Sequence, residues 1–190
     1  MRLFAGMALP DHVSDCLQDW CLEANVILSP LGWRPLPPYL WHLTLAFYGE
    51  VGANDADALS EQLAECAVQS PSLRLQTGHF GLFPHPMRPR VFWAGVDDAG
   101  HDKSLKRLTH CCRRAGHATV RIRSAKETAF RGHITLARAG KNVKPLDVES
   151  MLPSVPELYW GADRFSLFQS ILRQQGPQYR RLETYTLKCS

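Results

Sequence analysis

Apolar residues along the chain follow two spacings, one typical of strands and one typical of helices. Segments that alternate apolar with polar residues, or that are short and wholly apolar, predict β-strands. The pattern predicts strands at residues 2–7, 42–48, 73–76, 80–83, 90–96, 120–123, 133–138, 165–172 and 180–187.

Three other segments repeat apolar residues every three or four positions, as amphipathic helices do. The first begins at Asp11 and continues through Cys21, the second has Asn54 as its predicted N-cap, and the third is a basic helix from about His101 to Ala115. Strands predominate and mostly follow one another, which indicates an α+β fold with antiparallel sheets. The chain lacks both the regular strand–helix alternation and the glycine-rich loops of nucleotide-binding folds.

A five-residue strand pattern occurs twice. The sequence HLTLA, which begins at His42, returns as HITLA at His133, 91 residues later. Side chains two positions apart on a strand share one face and lie about 7 Å apart. His42 and Thr44 therefore share a face in one copy, and His133 and Thr135 share a face in the other. Duplicated lobes would bring the two polar faces together across a common cleft.

Two imidazoles and two hydroxyls without a neighbouring carboxylate or thiol suit the opening of a phosphodiester. A neutral imidazole removes a proton from the attacking water while a protonated one donates to the leaving oxygen. The hydroxyls of Thr44 and Thr135 can donate to the non-bridging oxygens, where charge develops. Catalytic zinc usually takes three protein ligands, and the other histidines lack an H-E-x-x-H spacing, so we expect no metal and no cofactor. A single H-x-T is usually a half-exposed histidine beside a β-favouring threonine, but its repetition argues against that interpretation.

Composition excludes several classes of protein. Hydrophobic residues make up 45% of the 190 residues and charged residues 21%, which excludes disordered and fibrous chains. No apolar run approaches the roughly 18 residues of a membrane span, and the N-terminus lacks the features of a signal peptide. We therefore expect a cytoplasmic protein that does not bind membranes.

Charge is divided unevenly along the chain. Residues 1–87 contain three basic and nine acidic side chains, whereas residues 88–190 contain 19 basic and nine acidic ones. This asymmetry favours contact with an anion such as a nucleic acid, although a basic half is also often a solvated surface.

The six cysteines form no C-x-x-C pair. Cys111 and Cys112 are sequence neighbours, which suits neither a metal site nor an ordinary disulfide. We expect reduced thiols that fill apolar gaps.

The paired motifs resemble those of the two-histidine (2H) phosphoesterase superfamily, which carries two HxTx motifs. More closely, the chain is similar over essentially its whole length to bacterial and archaeal RNA 2′,3′-cyclic phosphodiesterases, also called 2′-5′ RNA ligases. Gly132 stands where this family commonly has proline, a change that removes no functional group. The similar segments are residues 2–10, 41–51, 88–96, 130–138, 170–172 and 176–179.

This resemblance implies a bilobal α+β fold with a pseudo-two-fold axis and a central cleft, built by residues 1–190 as a single two-lobed domain. It also implies metal-independent hydrolysis of RNA 2′,3′-cyclic phosphate ends to 2′-phosphates, with reverse 2′-5′ ligation. By the same resemblance His42 is the proton donor to the leaving 3′ oxygen and His133 is the base, an order that the near-symmetric motifs do not reveal. The expected partner is an RNA 3′ end, without an obligate protein partner, and we expect a monomer.

Residues around the second motif are further candidates for phosphate binding. Arg131 and Arg138 flank the motif and either neutralise phosphate or are solvated strand-end charges. Strict alternation places the side chain of Arg138 on the face opposite His133. Tyr179 is predicted to approach the ligand. Three strand aromatics either stack on a terminal base or belong to the core: Trp41, Phe47 and Trp93.

Two alternatives remain open. A related two-histidine enzyme acts on small cyclic nucleotides, nucleotide-sugar cyclic phosphates or 2′-5′ oligonucleotides such as oligoadenylate, and comparing turnover of RNA ends with small substrates distinguishes it. A non-catalytic RNA-end binding module keeps affinity without turnover. The presence of both histidines and both threonines argues against that module.

Overall fold

The computed structural model describes residues 1–120, 129–141, 143, 150–174 and 176–189. Within these residues three α-helices are present: α1 (Asp11–Leu28), α2 (Ala53–Gln69) and α3 (Ser104–Thr119). None of these helices has the length and apolar character needed to span a bilayer. The strands are β1 (Arg2–Ala8), β2 (Trp33–Pro35), β3 (His42–Glu50), β4 (Leu73–Gln76), β5 (Phe80–Phe83), β6 (Val91–Gly95), β7 (Asp97–Asp98), β8 (His133–Ala139), β9 (Tyr159–Ala162), β10 (Arg164–Arg173) and β11 (Gly176–Thr186).

The strands form two antiparallel sheets. The larger sheet has eight strands in the order β11-β10-β1-β3-β8-β6-β5, with β2 also paired to β8, and the smaller has the order β7-β4-β9. The α+β class with antiparallel sheets is therefore confirmed. The two strands that carry the repeated motif, β3 and β8, are neighbours in the middle of the larger sheet.

The hydrophobic core lies between the helices and one face of the larger sheet. Trp20 of α1 stacks on Phe92 of β6, with ring centroids 6.0 Å apart. From β3, the hydroxyl of Tyr48 donates to the carbonyl of Cys112 in α3 at 3.1 Å. One continuous cluster of buried side chains includes residues from both halves of the chain. The opposite face of the central strands is left for polar side chains.

Two helix starts differ from the sequence predictions. The second helix begins at Ala53 after Gly52, so Asn54 lies inside the helix and is not its cap. The third begins at Ser104, after a left-handed residue at Lys103 with φ of 63°. The Asp102 carboxylate accepts a hydrogen bond from the backbone N–H of Ser104 at 2.9 Å and caps the helix there. The predicted strand at 120–123 lies outside the described residues except for Val120, which follows α3.

The prediction that all six cysteines are reduced and buried is wrong. Cys66 of α2 and Cys111 of α3 form a disulfide, with Cα atoms 5.8 Å apart. The side-by-side packing of the two helices turns Cys111 toward α2, whereas its neighbour Cys112 faces the core. Burial raises the pKa of the Cys112 thiol to about 12, as it does for Cys21. Two cysteines are exposed thiols: Cys16 and Cys189.

Candidate active site

The repeated motif segments meet side by side in the larger sheet. Leu43 of β3 lies opposite Ile134 of β8, and both side chains are fully buried in the core. Because side chains alternate along a strand, the flanking residues of each motif point to the other face. That face carries the four polar side chains of the repeat, all half-buried: His42, Thr44, His133 and Thr135.

Each imidazole is oriented by the same hydrogen bond. Nδ1 of His42 lies 2.8 Å from the carbonyl oxygen of Leu40, and Nδ1 of His133 lies 2.8 Å from that of Arg131. A carbonyl only accepts, so Nδ1 donates and Nε2 is the nitrogen that gains or loses a proton at the site. Both histidines are therefore presented in the same tautomer.

Aromatic rings hold His42 in place. The ring of Phe4 in β1 lies 4.8 Å from the imidazole, measured between centroids, and the ring of Tyr179 in β11 stands edge-on to it at 5.1 Å. These contacts shield the histidine on the side of the β10–β11 hairpin and fix its rotamer.

Two aromatic rings also flank the imidazole of His133, and they come from β5 and β6, toward the opposite edge of the larger sheet. Phe83 of β5 stands edge-on to its imidazole at 4.9 Å, and the indole of Trp93 in β6 lies 6.0 Å away. Each histidine is thus packed by rings from strands on its own side of the central pair.

The pKa values of both histidines are lowered, chiefly by burial. In each case the hydrogen bond to the backbone carbonyl opposes the effect. At His42 the positive charges of His133 and Arg138 lower the pKa further. An imidazole near neutral pH therefore stays uncharged more readily here than in water, and a bound phosphate anion favours its protonation.

Both motif strands contain a β-bulge at the same place. In β3, Ala46 and Thr44 pair with consecutive residues of β1, and Leu45 is the extra residue. In β8, Ala137 and Thr135 pair with consecutive residues of β6, and Leu136 is the extra residue. An extra residue shifts the alternation of the side chains that follow it. The fifth position after each histidine is thereby turned to the polar face.

The expected orientation of Arg138 is wrong because of this bulge. Arg138 pairs with Val91 of β6, and Thr135 pairs with Trp93. Because Val91 and Trp93 are two positions apart, the side chain of Arg138 lies on the same polar face as Thr135. Its charge lowers the pKa of both His42 and Tyr179. Strict alternation fails here, and Arg138 is a member of the cluster.

The remaining predicted residues have different positions. Tyr179 contacts His42, and burial raises the pKa of its phenol, so the hydroxyl remains a proton donor over the neutral range. Arg131 is exposed beside the cluster, and its backbone carbonyl orients His133. The structure therefore brings six of the seven predicted site residues to one face and leaves the Arg131 side chain at its edge.

The three aromatic candidates for base stacking differ in accessibility. Trp41 and Trp93 are both buried. The indole N–H of Trp41 donates to the Leu36 carbonyl at 3.1 Å within the core, whereas Trp93 packs against His133. Phe47 is 51% exposed on the polar face, beneath the guanidinium of Arg2. Among the three, only Phe47 is exposed, and the Arg2 guanidinium covers one face of its ring.

Sequence reasoning missed Phe4 and Phe83, whose rings contact the histidines, and His79, whose ring contacts Trp93 beside them. The two phenylalanines look like any apolar strand residue. The His79 imidazole fills the space that a side chain at Gly95 would occupy, and Gly95 lies opposite His133. A glycine opposite the motif is the one local signal of this arrangement. Among the described residues, no three His, Cys, Asp or Glu side chains are grouped so as to hold a metal ion.

Comparison with known proteins identifies the family. The family described as LigT like Phosphoesterase matches residues 8–93. The RNA 2′,3′-cyclic phosphodiesterase of Thermus thermophilus is 32% identical over 99% of this chain and 91% of its own length. The chain belongs to the LigT-like phosphoesterases. Another member, the RNA 2′,3′-cyclic phosphodiesterase of Archaeoglobus fulgidus, is 27% identical over 97% of this chain and 99% of its own.

Solved structures of similar proteins have the same fold. A crystal structure of a Thermus thermophilus protein superposes with a TM-score of 0.78 at 30% identity, covering 98% of both chains. Escherichia coli LigT complexed with 3′-AMP gives a TM-score of 0.79 at 26% identity, covering 98% of this chain and 97% of LigT. This LigT-like chain is thus homologous to a family of phosphoesterases along nearly its whole length.

Proposed function

We propose that this protein hydrolyses 2′,3′-cyclic phosphates at RNA 3′ ends and leaves 2′-phosphates. The observation that carries the proposal is the pair of imidazoles on one polar face, each presenting Nε2 because a backbone carbonyl holds its Nδ1. Relatives that align along almost the whole chain are RNA 2′,3′-cyclic phosphodiesterases. A nucleotide, 3′-AMP, is bound in a crystal structure of the E. coli relative.

In the proposed reaction the histidines act as an acid and a base. His133 in its neutral form removes a proton from water, and the oxygen attacks the phosphorus. His42 in its protonated form donates to the 3′ oxygen as the bond from phosphorus to that oxygen breaks. The reverse reaction, with a 5′-hydroxyl in place of water, joins two RNA ends through a 2′-5′ linkage.

The other polar residues of the cluster stabilise the transition state in this proposal. The hydroxyls of Thr44 and Thr135 donate to the non-bridging oxygens, on which negative charge builds. Arg138 neutralises the phosphate from the end of the same face, and Tyr179 donates from above His42. Arg131 attracts the RNA at the edge of the site.

We also propose that the chain is one two-lobed domain built from duplicated halves. The pairing of β1 with β3 and that of β6 with β8 have the same register, with Ala8 opposite His42 and Gly95 opposite His133. The bulge falls at the same motif position in both strands. The shared hydrophobic core supports a single domain.

The test uses a short RNA that ends in a 2′,3′-cyclic phosphate, incubated with excess chelator. We expect wild type to convert it to the 2′-phosphate, and His42→Ala and His133→Ala to lose this activity while retaining the wild-type circular dichroism spectrum. A product carrying a 3′-phosphate, or turnover that the chelator abolishes, contradicts the mechanism. Turnover of 2′,3′-cyclic AMP with none of the RNA shifts the function to small cyclic nucleotides.

A further inference from the structure

The polar face that carries the histidines continues onto β2, a short strand outside the repeated motifs. β3 pairs with β8 only at Leu43 and Ile134, and β2 pairs with the later residues of β8, where Arg34 lies opposite Arg138. Residues that pair across two strands point to the same face of the sheet. Arg34 therefore shares the polar face with Arg138.

The side chain of Arg34 lies across β8. Its Nε is 3.7 Å from the point that a Cβ atom at Gly140 would occupy. Gly140 follows Arg138 by two positions, so the space above it belongs to the same face of the sheet. The guanidinium of Arg34 is thus carried toward the strand that also carries Arg138.

The backbone of β2 is anchored on both sides of Arg34. Trp33 is buried in the core, where its ring stands edge-on to Phe92 with centroids 6.1 Å apart. On the other side, the N–H of Leu36 donates to the carbonyl of Leu136 at 2.7 Å. With its neighbours held in this way, Arg34 is turned outward at a fixed place on the polar face.

Arg34 and Arg138 are like charges without a counter-charge. Both are exposed, and neither forms an ion pair or a side-chain hydrogen bond with a residue that the structure describes. Like charges directly opposite each other in a sheet destabilise the pairing. An anion relieves this repulsion, and guanidinium groups are well suited to bind phosphate.

The arginine pair lies on the His42 side of the site. The charge of Arg138 lowers the pKa of both His42 and Tyr179. The pKa of His133, in contrast, responds to burial and to its backbone hydrogen bond. In the proposed reaction His42 donates to the leaving 3′ oxygen, so the ribose of the substrate is on this side as well. From that ribose an RNA chain continues through the 5′ oxygen to its next phosphate.

We infer that Arg34 binds a backbone phosphate of the RNA on the 5′ side of the reacting end, with Arg138 lying between this phosphate and the cyclic one. This inference rests on the proposed function and on its assignment of His42 as the acid. It gives the enzyme a preference for the end of an RNA chain over a free 2′,3′-cyclic mononucleotide, which has no such phosphate.

Arg2 also lies on the polar face, but it has an acidic neighbour. Its guanidinium is 5.1 Å from the centre of the Phe47 ring, and the residue opposite it on β3 is Glu50. A carboxylate in the opposite position offsets the charge of Arg2. We therefore expect the backbone phosphate at Arg34 and not at Arg2.

The experiment compares two trinucleotides that both end in a 2′,3′-cyclic phosphate. One has ordinary phosphodiester linkages, and in the other both linkages are methylphosphonates, which are neutral. The ratio of their kcat/KM values measures the contribution of the backbone charge, because the bases and the length are the same. For wild type at low salt we expect a ratio of about ten in favour of the charged trinucleotide.

The variant Arg34→Gln should lower this ratio to about two or less, with a change of less than twofold in kcat/KM for 2′,3′-cyclic AMP. Arg34→Lys keeps the charge and should keep most of the ratio. With the charged trinucleotide, Arg34→Gln should also make the slope of log(kcat/KM) against log[salt] shallower by about 0.7, as expected for one phosphate contact to a single strand. Arg74→Gln, exposed in the smaller sheet, is the control and should keep the wild-type ratio.

Three outcomes overturn the inference while the proposed function stands. A wild-type ratio close to one means that the enzyme binds no backbone phosphate. Equal losses with all three substrates in Arg34→Gln mean that Arg34 acts on the cyclic phosphate or on the fold. A ratio that is lost in Arg2→Gln but kept in Arg34→Gln means that the RNA chain leaves the site past β1. A wild-type protein that turns over neither trinucleotide nor 2′,3′-cyclic AMP rejects the proposed function itself.

Discussion

The two motif strands have nearly the same backbone but different neighbours. Each contributes a histidine with Nδ1 held by the carbonyl two residues earlier, and each has a bulge just after its threonine. The residue that pairs with the motif threonine differs between the halves: Gly6 of β1 lies opposite Thr44, and Trp93 of β6 lies opposite Thr135. At the fifth position after the histidine, the first half has Phe47 and the second has Arg138.

This difference separates what the backbone supplies from what the side chains supply. The common backbone presents two imidazoles in one tautomer and at similar depth, which makes them chemically equivalent. The side chains remove that equivalence, because the positive charge of Arg138 acts on the pKa of His42, whereas the pKa of His133 responds to burial and to its backbone hydrogen bond. Paired acid–base catalysis requires one imidazole to carry a proton while the other is neutral. In the free protein the charges make His42 harder to protonate, so the bound phosphate must supply the opposing negative charge.

The largest expected effect comes from removing each histidine and recording the rate against pH. The base must be neutral, so its loss removes the limb in which the rate rises with pH; the acid must be protonated, so its loss removes the limb in which the rate falls. We expect His133→Ala to lose the rising limb and His42→Ala the falling one, each with a rate loss on the order of 10²–10⁴.

Burial lowers both histidine pKa values, so the wild-type bell in kcat/KM should be centred on the acid side of the ordinary histidine value of 6.5. If the two variants lose the opposite limbs, the roles are exchanged. A wild-type rate that increases steadily up to alkaline pH contradicts paired acid–base catalysis altogether.

A smaller effect is expected at the threonines, where the two halves are most alike. Thr44→Val and Thr135→Val each remove one donor to the non-bridging oxygens, and we expect kcat to fall on the order of 10² in both. Steady-state kinetics with the cyclic RNA measures the two losses. Thr186→Val on exposed β11 is the control and should keep the wild-type rate. A loss confined to one threonine means that the phosphate is bound asymmetrically, and no loss in either contradicts their proposed role.

The smallest effect concerns the position at which the halves differ most. Arg138→Gln removes a charge-assisted contact with phosphate, and we expect kcat/KM to fall about tenfold. Burial still lowers the pKa of His42, but the contribution of Arg138 is lost and the pKa rises. With His42 as the acid, the falling limb therefore moves to higher pH.

The control for this charge is Arg74→Gln in the smaller sheet, for which we expect neither change. A movement of the rising limb instead would identify His42 as the base. An unchanged kcat/KM would mean that Arg138 does not contact the substrate, although it lies on the same face as the histidines.

The repeated motif was readable from the sequence because it depends only on local alternation. HLTLA and HITLA fix which side chains share a face wherever the strands lie, and burial of Leu43 and Ile134 followed from the same pattern. The starts of β3 and β8 and the bounds of β4 and β5 also agree with it. The α+β class followed from the predominance of strands. Three-to-four-residue periodicity predicted the three helices, with the start of the first at Asp11 correct and the starts of the other two displaced.

Only the tertiary structure decided features that depend on which elements become neighbours. The position of Arg138 depends on a bulge that arises from the pairing of β8 with β6, and no residue within the motif signals it. The Cys66–Cys111 disulfide depends on the packing of α2 against α3. The His79 imidazole lies beside the site because Gly95, which pairs with His133, has no side chain to occupy that space. A local pattern determines the face on which a side chain lies, whereas register, bulges and contacts between elements are set by the energy of the whole packed fold.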